Sequence, residues 1–338
     1  MPSMAWILYC RISQRMKNKI RCTICPKGCE LGPREIGDCR VRQNTDHCLQ
    51  CITYNKPSAL NIDPIEKKPL YHVLPGTAVL SIGTAGCNLH CSQCQNEHLS
   101  QHAQKGAVIY TPDAIVNLAA AKQITSIAYT YAEPLVSYEY TLDCCKKASA
   151  SGLKNILVTA AYINPDPLRE LCKYVDAANV DLKSFSDQFY REICGARLDP
   201  VLNALKIMKA AGIFIEITNL MIPTLNDSES ETRNLCDWIV KNLGSETPLH
   251  FSRFFPQNKL KHLPPTPIRT LLRAQEIADE CGLKFVYIGN APNETGAFTF
   301  CPDCRTVLIE RNGYHVTYHE SSDGTCPACR RKIPGIWN

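Results

Sequence analysis

The sequence predicts an α/β protein, a partial (β/α)6 TIM-like barrel with a cysteine-rich segment before it and a small cysteine-paired module after it. Three observations lead there. Between residues 78 and 290, short apolar runs alternate with longer amphipathic stretches, as in a parallel sheet with helical crossovers. Proline and glycine punctuate that alternation where helices start and stop. Of the 20 cysteines among 338 residues, eleven gather in three compact groups. The implied division is an extension over 1–20, a cysteine-rich segment with an extended lead-in over 21–72, the barrel over 73–290 and the terminal module over 291–338.

Composition narrows the class. Charged residues make up 20% and hydrophobic ones 45%, as in ordinary globular proteins. The net charge of +5 comes without a basic stripe interleaved with aromatics, so no nucleic-acid partner is expected. The apolar run Ala5–Cys10 is far too short to cross a bilayer, and no charged segment precedes it as a signal peptide requires. The reading is a cytoplasmic protein without a membrane partner. Closely spaced cysteines in such a protein point to metal rather than disulfides. Cys144, Cys145, Cys172 and Cys236 stand apart in helical stretches and read as small buried hydrophobes.

In chain order, the first group is Cys22-x2-Cys25-Pro-Lys-Gly-Cys29, with Cys39 after nine more residues. Four thiols this close can close a zinc site or an iron–sulfur site, or stay free. Asp63–His72 follows, and Pro64 and Pro69 keep it extended. Within it Glu66, Lys67 and Lys68 read as a solvated face. Strands are expected at 78–83, 125–131, 154–160, 177–182, 213–221, 248–255 and 284–289. Helices are expected near 112–122, 136–151, 165–174, 198–211, 228–242 and 267–281. Pro112, Pro165, Pro200 and Pro267 stand near helix starts. Gly152, Gly212, Gly244 and Gly282 stand just past helix ends.

The first strand runs into Gly86-Cys87-Asn-Leu-His-Cys91-Ser-Gln-Cys94, a C-x3-C-x2-C array. In a parallel barrel this loop lies at the carboxyl ends of the strands, where such folds place their sites. Soft thiolates suit zinc, Cu(I) or iron–sulfur clusters. A cubane cluster ordinarily takes four cysteines, so three leave one iron without a protein ligand and open to substrate. The competing arrangement is a zinc site of three cysteines completed by His90 or His98.

The last group pairs Cys301-Pro-Asp-Cys304 with Cys326-Pro-Ala-Cys329 across 21 residues that carry a hairpin signal at Asn312-Gly313. This spacing is that of a zinc ribbon, so Cys301, Cys304, Cys326 and Cys329 are expected to hold zinc. Arg305 and Arg330 stand where such knuckles usually have glycine. The strain of a left-handed residue there, about 1–2 kcal/mol, is small beside about 10–16 kcal/mol from structural zinc.

C-x3-C-x2-C after a first barrel strand resembles the radical SAM enzymes. That resemblance implies a [4Fe–4S] cluster on Cys87, Cys91 and Cys94 whose open iron binds S-adenosylmethionine (SAM). One-electron reduction, from a flavodoxin- or ferredoxin-type protein, then gives a 5′-deoxyadenosyl radical. It also implies cofactor contacts at the strand ends. Tyr131-Ala132-Glu133-Pro134 stands where these enzymes have a Gly-Gly-Glu-Pro-like element, which assigns Ala132 and Glu133 to the methionyl group. Thr159 is the part retained of a third-strand motif, and Asp181-Leu182-Lys183 matches the activating enzymes of glycyl-radical proteins. Gln93 stands in place of the usual aromatic residue near adenine. Phe255 stands where activating enzymes often have a histidine, with His250 and Arg253 as polar candidates nearby.

Asp63-Pro-Ile-Glu-Lys-Lys-Pro-Leu-Tyr-His72, Ser81-Ile-Gly-Thr, Cys94-Gln-Asn96 and Ile333-Pro-Gly-Ile-Trp337 together resemble the radical SAM component of the AmmeMemoRadiSam system. That family is similar to the pyruvate formate-lyase activating enzymes, and its name implies Memo-like and AMMECR-type companions. Three functions remain open: a radical enzyme with a small or partner-delivered substrate, an activase acting on a protein glycine, and a non-enzymatic metal-binding electron carrier or scaffold. Both flanking modules are expected to cover the barrel mouth.

Overall fold

The computed structural model describes residues 12–45, 48–102, 108–291, 294–319 and 323–337; the run Ala5–Cys10 lies outside them. The described chain opens on a three-stranded antiparallel sheet of β1 (Ser13–Arg15), β2 (Ile20–Cys22) and β3 (Glu30–Leu31). The stretch read as an extension therefore supplies the first of these strands. A hairpin of β4 (Arg42–Thr45) and β5 (Cys48–Cys51) follows.

The central sheet has eight strands in chain order. β6 (Ala59–Pro64) pairs antiparallel with β7 (Ala78–Gly83). From β7 onward the strands are parallel: β8 (Ser126–Tyr129), β9 (Lys154–Thr159), β10 (Ala177–Asp181), β11 (Phe214–Met221), β12 (Leu249–Arg253) and β13 (Val286–Gly289). Each of the seven expected parallel strands is present. The crossovers are α1 (Pro112–Ala121), α2 (Tyr138–Ala150), α3 (Pro165–Cys172), α4 (Leu198–Ala210), α5 (Glu229–Asn242) and α6 (Ile268–Glu280). The result is six strand–helix units closed by a seventh parallel strand. Thr111 caps α1 by accepting from the Ala114 N–H at 3.2 Å, and Ser228 caps α5 from Glu231 at 3.3 Å. Gly152, Gly212, Gly244 and Gly282 follow helices with φ between 76° and 101°. Cys144, Cys145, Cys172 and Cys236 are buried.

β6 lies within the 21–72 stretch read as a cysteine-rich segment with an extended lead-in, and only its last two residues fall in the lead-in itself. Its proline is the last strand residue, at the sheet edge, where a missing N–H breaks no ladder. Beyond it the chain turns under the sheet, and this overturns the solvated reading of Glu66 and Lys68, which are 3% and 2% exposed. Lys68 Nζ lies 2.7 Å from Asp63 and over the Tyr131 ring. Glu66 accepts from the Gly76 N–H at 2.8 Å and faces the buried Arg311. Charges buried on both sides of a contact must be paired, and no periodicity shows which distant partner supplies the second charge.

The C-terminal module is the antiparallel sheet β14 (Thr299–Phe300), β15 (Val307–Asn312) and β16 (His315–Tyr318). Asn312 pairs with His315, so the turn is Gly313-Tyr314, one residue later than the Asn-Gly signal placed it. The module sits at the amino ends of the parallel strands, where Tyr71, Phe285 and Tyr287 share its core. It forms the barrel floor and so does not cover the mouth, as had been expected. Leu74 N–H donates to Ile336 O at 2.7 Å, and Ile336 N–H to His72 O at 2.8 Å, tying the tail beneath β7.

Glu216 of β11 anchors that floor. It is fully buried and accepts from Tyr71 N–H at 2.9 Å, His72 N–H at 2.7 Å and His250 Nε2 at 2.6 Å. Thus His250 belongs to the floor and is removed from the sequence's list of residues near the mouth. His72 donates from Nδ1 to Pro334 O and accepts at Nε2 from Tyr287 OH, each at 2.7 Å, and burial pushes its pKa down to about 4. Burial alone would raise the Glu216 carboxyl, but His250, His72 and the Tyr71 N–H hold it below the usual carboxylate range. A depressed folded pKa means stability that is present above the unfolded value, about 4.3, and lost as pH falls through the folded one. Glu216→Ala should lower unfolding stability by about 3–5 kcal/mol at neutral pH, the cost of leaving a buried polar partner uncompensated. It should also flatten the loss of stability below about pH 4, measured by denaturant unfolding across pH. An unchanged midpoint would remove Glu216 from this role.

Candidate active site

The Cys87–Cys94 loop leaves the carboxyl end of β7 and has little regular structure of its own. It is pinned from outside. His90 N–H donates to Cys194 O at 2.8 Å and Ser92 N–H to Ile193 O at 2.9 Å, both on the turn Tyr190–Cys194 after β10. Gln257 Nε2 donates to Gln93 O at 2.8 Å and Lys259 N–H to Ser92 O at 3.1 Å, from the loop after β12. Asn96 Nδ2 donates to Tyr131 O at 2.7 Å, at the end of β8. Three strand ends therefore fix the three cysteines. Leu89 N–H reaches Cys87 Sγ at 3.4 Å, and Ser100 Oγ lies 3.4 Å from Cys94 Sγ.

The strand-end residues named from the sequence meet beside this loop. Glu133 is 2% exposed and accepts from Thr159 Oγ1 at 2.6 Å, Ala160 N–H at 2.8 Å and Leu135 N–H at 3.2 Å. Burial raises its carboxyl pKa against those donors. Glu133 and Thr159 are thus bonded to one another and brace the ends of β8 and β9. Lys183 Nζ lies 3.0 Å from Asp181 Oδ2. Burial opposes its charge, but Asp181 and the Cys91 and Cys194 sulfurs hold its pKa well above normal, so a fixed cation faces the cysteines. Ala132 N–H donates to Thr130 O at 2.9 Å, in a turn where Tyr131 has φ 70°. Ala161, at the end of β9, has φ 54°. Such strained positions gather where surrounding structure holds the backbone for a purpose.

Two features escaped the sequence reading. Cys194 lies beside Cys91 and lowers its thiol pKa through a side-chain hydrogen bond, although burial works the other way. No local signal marks it, because 100 residues separate it from the loop and only the β10 crossover brings it back. Gln93, noted as a departure, is 5% exposed with an Oε1 that has no hydrogen-bond partner. Arg253 turns away, donating to Thr266 O at 2.8 Å, and Phe255 is 41% exposed.

The other two cysteine groups occupy opposite ends of the barrel. Cys22, Cys25, Cys29 and Cys39 line one pocket behind the Cys87 loop. Asn164 N–H and Nδ2, at the start of α3, donate to Ile24 O and Thr23 O at 2.8 and 2.7 Å, so this segment is tied to the mouth. At the floor, Cys301, Cys304, Cys326 and Cys329 have their four sulfurs within 4.8 Å of one another, with Cys301–Cys329 and Cys304–Cys326 each at 3.5 Å. Arg305 and Arg330 have φ 63° and 65°, in the left-handed knuckle positions.

A seven-strand parallel α/β fold with three cysteines at the mouth is the arrangement that the resemblance to radical SAM enzymes implies. The Radical SAM superfamily model matches residues 81–236. The chain is 43% identical over 321 residues to an uncharacterized protein of Methanocaldococcus jannaschii, covering 94% of this chain and 95% of that one. It is similar, at 26% identity over 163 residues, to the pyruvate formate-lyase-activating enzyme of Clostridium pasteurianum, covering 47% of this chain and 67% of that one. A solved radical SAM methyltransferase from Sphaerobacter thermophilus has the same fold, with TM-score 0.51 and 13% identity over 65% of this chain and 68% of that one. Residues 81–236 form a radical SAM domain, and the chain belongs to one family with the Methanocaldococcus jannaschii protein. Among the described residues, no helix is long and apolar enough to cross a membrane.

The radical SAM fold implies a [4Fe–4S] cluster and SAM, and the residues present fit them. The Cys87, Cys91 and Cys94 sulfurs do not crowd into a group as tight as the floor tetrad, which suits a cluster of several irons. Lys183 supplies positive charge, and the orphaned Gln93 Oε1 offers a buried acceptor that an amino group of a ligand would satisfy.

Gly86 tests how tightly this loop is held. Its φ is 97°, and a Cβ there would lie 2.6 Å from Val41 and 2.7 Å from Cys39 O. Gly86→Ala should lower stability by about 1–3 kcal/mol and reduce the iron retained after anaerobic reconstitution. Full iron retention at unchanged stability would show that the loop tolerates displacement.

Proposed function

We propose that the protein cleaves SAM reductively at Cys87, Cys91 and Cys94 and uses the product to abstract hydrogen from a small or partner-delivered substrate. What carries this reading is the convergence of Glu133, Thr159 and the Asp181–Lys183 pair, from three separate strand ends, on a three-cysteine loop. An electron carrier needs no such strand-end constellation, which speaks against a purely electron-transferring or scaffolding role.

When bound, a reduced cluster with SAM supplies a 5′-deoxyadenosyl radical. The chain's own residues do the rest. Cys87, Cys91 and Cys94 would hold the cluster at the strand rim. Lys183, kept charged by Asp181, would pair with the methionyl carboxylate. The backbone at Ala132, shaped by the left-handed Tyr131 and braced by Glu133–Thr159, would receive the amino group. Gln93 Oε1 would accept from a donor on the adenine side. The N-terminal segment, tied along the mouth, excludes water from the radical. The activating-enzyme family generally needs a reductant, and a flavodoxin- or ferredoxin-type protein is the proposed donor. Memo-like and AMMECR-type proteins are the proposed companions, and zinc is proposed for the floor tetrad. A tetrahedral zinc with bonds of about 2.3 Å holds its sulfurs about 3.8 Å apart, close to the spacing found there.

Anaerobically reconstituted protein with dithionite and SAM should release 5′-deoxyadenosine. The C87A/C91A/C94A variant should release none; undiminished release would sink this assignment. Cys301→Ala should lose zinc and stability while leaving that release in place. If metal analysis of the wild type finds iron and sulfide in the tail, the zinc assignment fails.

A second reading has its own support. Asp181-Leu182-Lys183 is shared with the activating enzymes, and such an enzyme is among the relatives. Mixing reconstituted enzyme, SAM and reductant with glycyl-radical proteins of the same organism decides between them. A glycine-centred electron paramagnetic resonance doublet would establish the activase and overturn the small-substrate reading. Turnover stimulated only by metabolite extract would support it.

A further inference from the structure

Cys22, Cys25, Cys29 and Cys39 line one pocket of the N-terminal segment, where Asp38 N–H donates to Cys29 Sγ at 3.5 Å.

A second observation comes from a residue outside the ligand set. Arg42 lines the same pocket and is 2% exposed. Its two terminal nitrogens pair with Glu139, yet its Nε is buried without any hydrogen-bond partner. An orphaned guanidinium N–H beside four thiols marks the place of a negatively charged group.

The span of the sulfurs selects the kind of metal. One tetrahedral zinc draws four sulfurs to about 3.8 Å from one another. Among the described residues the floor tetrad alone meets that, with all four within 4.8 Å. The N-terminal four spread wider, as do Cys87, Cys91 and Cys94 beside them. Four soft ligands at wider spacing suit a cubane cluster with one cysteine on each iron.

We propose that Cys22, Cys25, Cys29 and Cys39 hold a second [4Fe–4S] cluster, closed by four thiolates and packed directly behind the radical-cluster loop. Asn88, which touches Cys25, is the residue after Cys87, and Gly86 before it lies against Val41 and the Cys39 carbonyl. One electron from a protein or chemical one-electron donor enters the N-terminal cluster, oxidising the donor. The same electron then passes by way of Asn88 to the cluster on Cys87, returning the N-terminal cluster to its oxidised state. No proton moves. This relay rests on the radical SAM reading; the cluster itself does not.

The test is metal and sulfide analysis with electron paramagnetic resonance on the full chain, reconstituted anaerobically. The wild type should hold about eight irons and eight sulfides, two cubanes' worth. C87A/C91A/C94A should keep about half, with a reduced-cluster signal that SAM leaves unchanged. C25S/C29S should lose the other half, keep its zinc and keep a SAM-responsive signal. That signal should need less microwave power to saturate than in the wild type, because its fast-relaxing neighbour is gone. A C87A/C91A/C94A variant without iron overturns the proposal, whether the N-terminal thiols then carry zinc or nothing. Should C25S/C29S fail to fold, that variant still decides, since its N-terminal ligands are intact. Absence of 5′-deoxyadenosine from the wild type would fail the radical SAM reading while leaving this iron count to stand by itself.

Discussion

Three thiols can share one binding position only if something outside their loop fixes it. That constraint is met by a loop with little structure of its own. Its carbonyls and N–H groups are held by the ends of β8, β10 and β12, so the site is a property of the closed sheet rather than of the cysteine motif. Anything that changes how far these strand ends stand apart changes the spacing of the three sulfurs. The strained backbone at Tyr131 and Ala161 belongs to the same economy: a left-handed residue is tolerated where its neighbours leave it no other path.

The molecule divides its work between two ends of one sheet. At the carboxyl ends lie the cysteine loop, the Asp181–Lys183 pair and the N-terminal segment, all concerned with charge and thiolates. At the amino ends lie Glu216, His72, Arg311 and the cysteine ribbon, where satisfied polar groups and aromatic packing close the barrel. Barrel enzymes commonly separate chemistry from stability in this way. The separation also bears on access, because among the described residues of the two flanking modules the N-terminal segment stands by the mouth and the ribbon lies at the floor.

How much of this was legible follows from whether a signal is local. The seven parallel strands announce themselves as apolar runs because a parallel sheet is covered on both faces, and prolines and glycines mark the helices between them. The cysteine groups are legible because metal chemistry demands short spacings. β6 was hidden by its shortness and its terminal proline, and the burial of Glu66 and Lys68 by partners far away, Arg311 in the case of Glu66. The ribbon's place on the floor depends on Tyr71, Phe285 and Tyr287, which share no local pattern. His250 shows the limit most plainly: its neighbours in sequence point to the mouth, whereas its hydrogen bond to Glu216 places it at the other end. Cys194 could be assigned to the loop only by knowing where the β10 crossover returns.

The pairing of residues 333–337 with His72 and Leu74 has a consequence for how the chain is made. These residues emerge from the ribosome after every residue they touch, and contacts across so great a separation form late. Strands β7 to β13 can assemble as they appear, but the underside of the barrel stays open until the tail arrives. During that interval Tyr71, Phe285 and Tyr287 lack their cover and are available to chaperones or to other nascent chains. Translation past residue 337, rather than completion of the barrel strands, sets the moment at which the floor of the barrel closes.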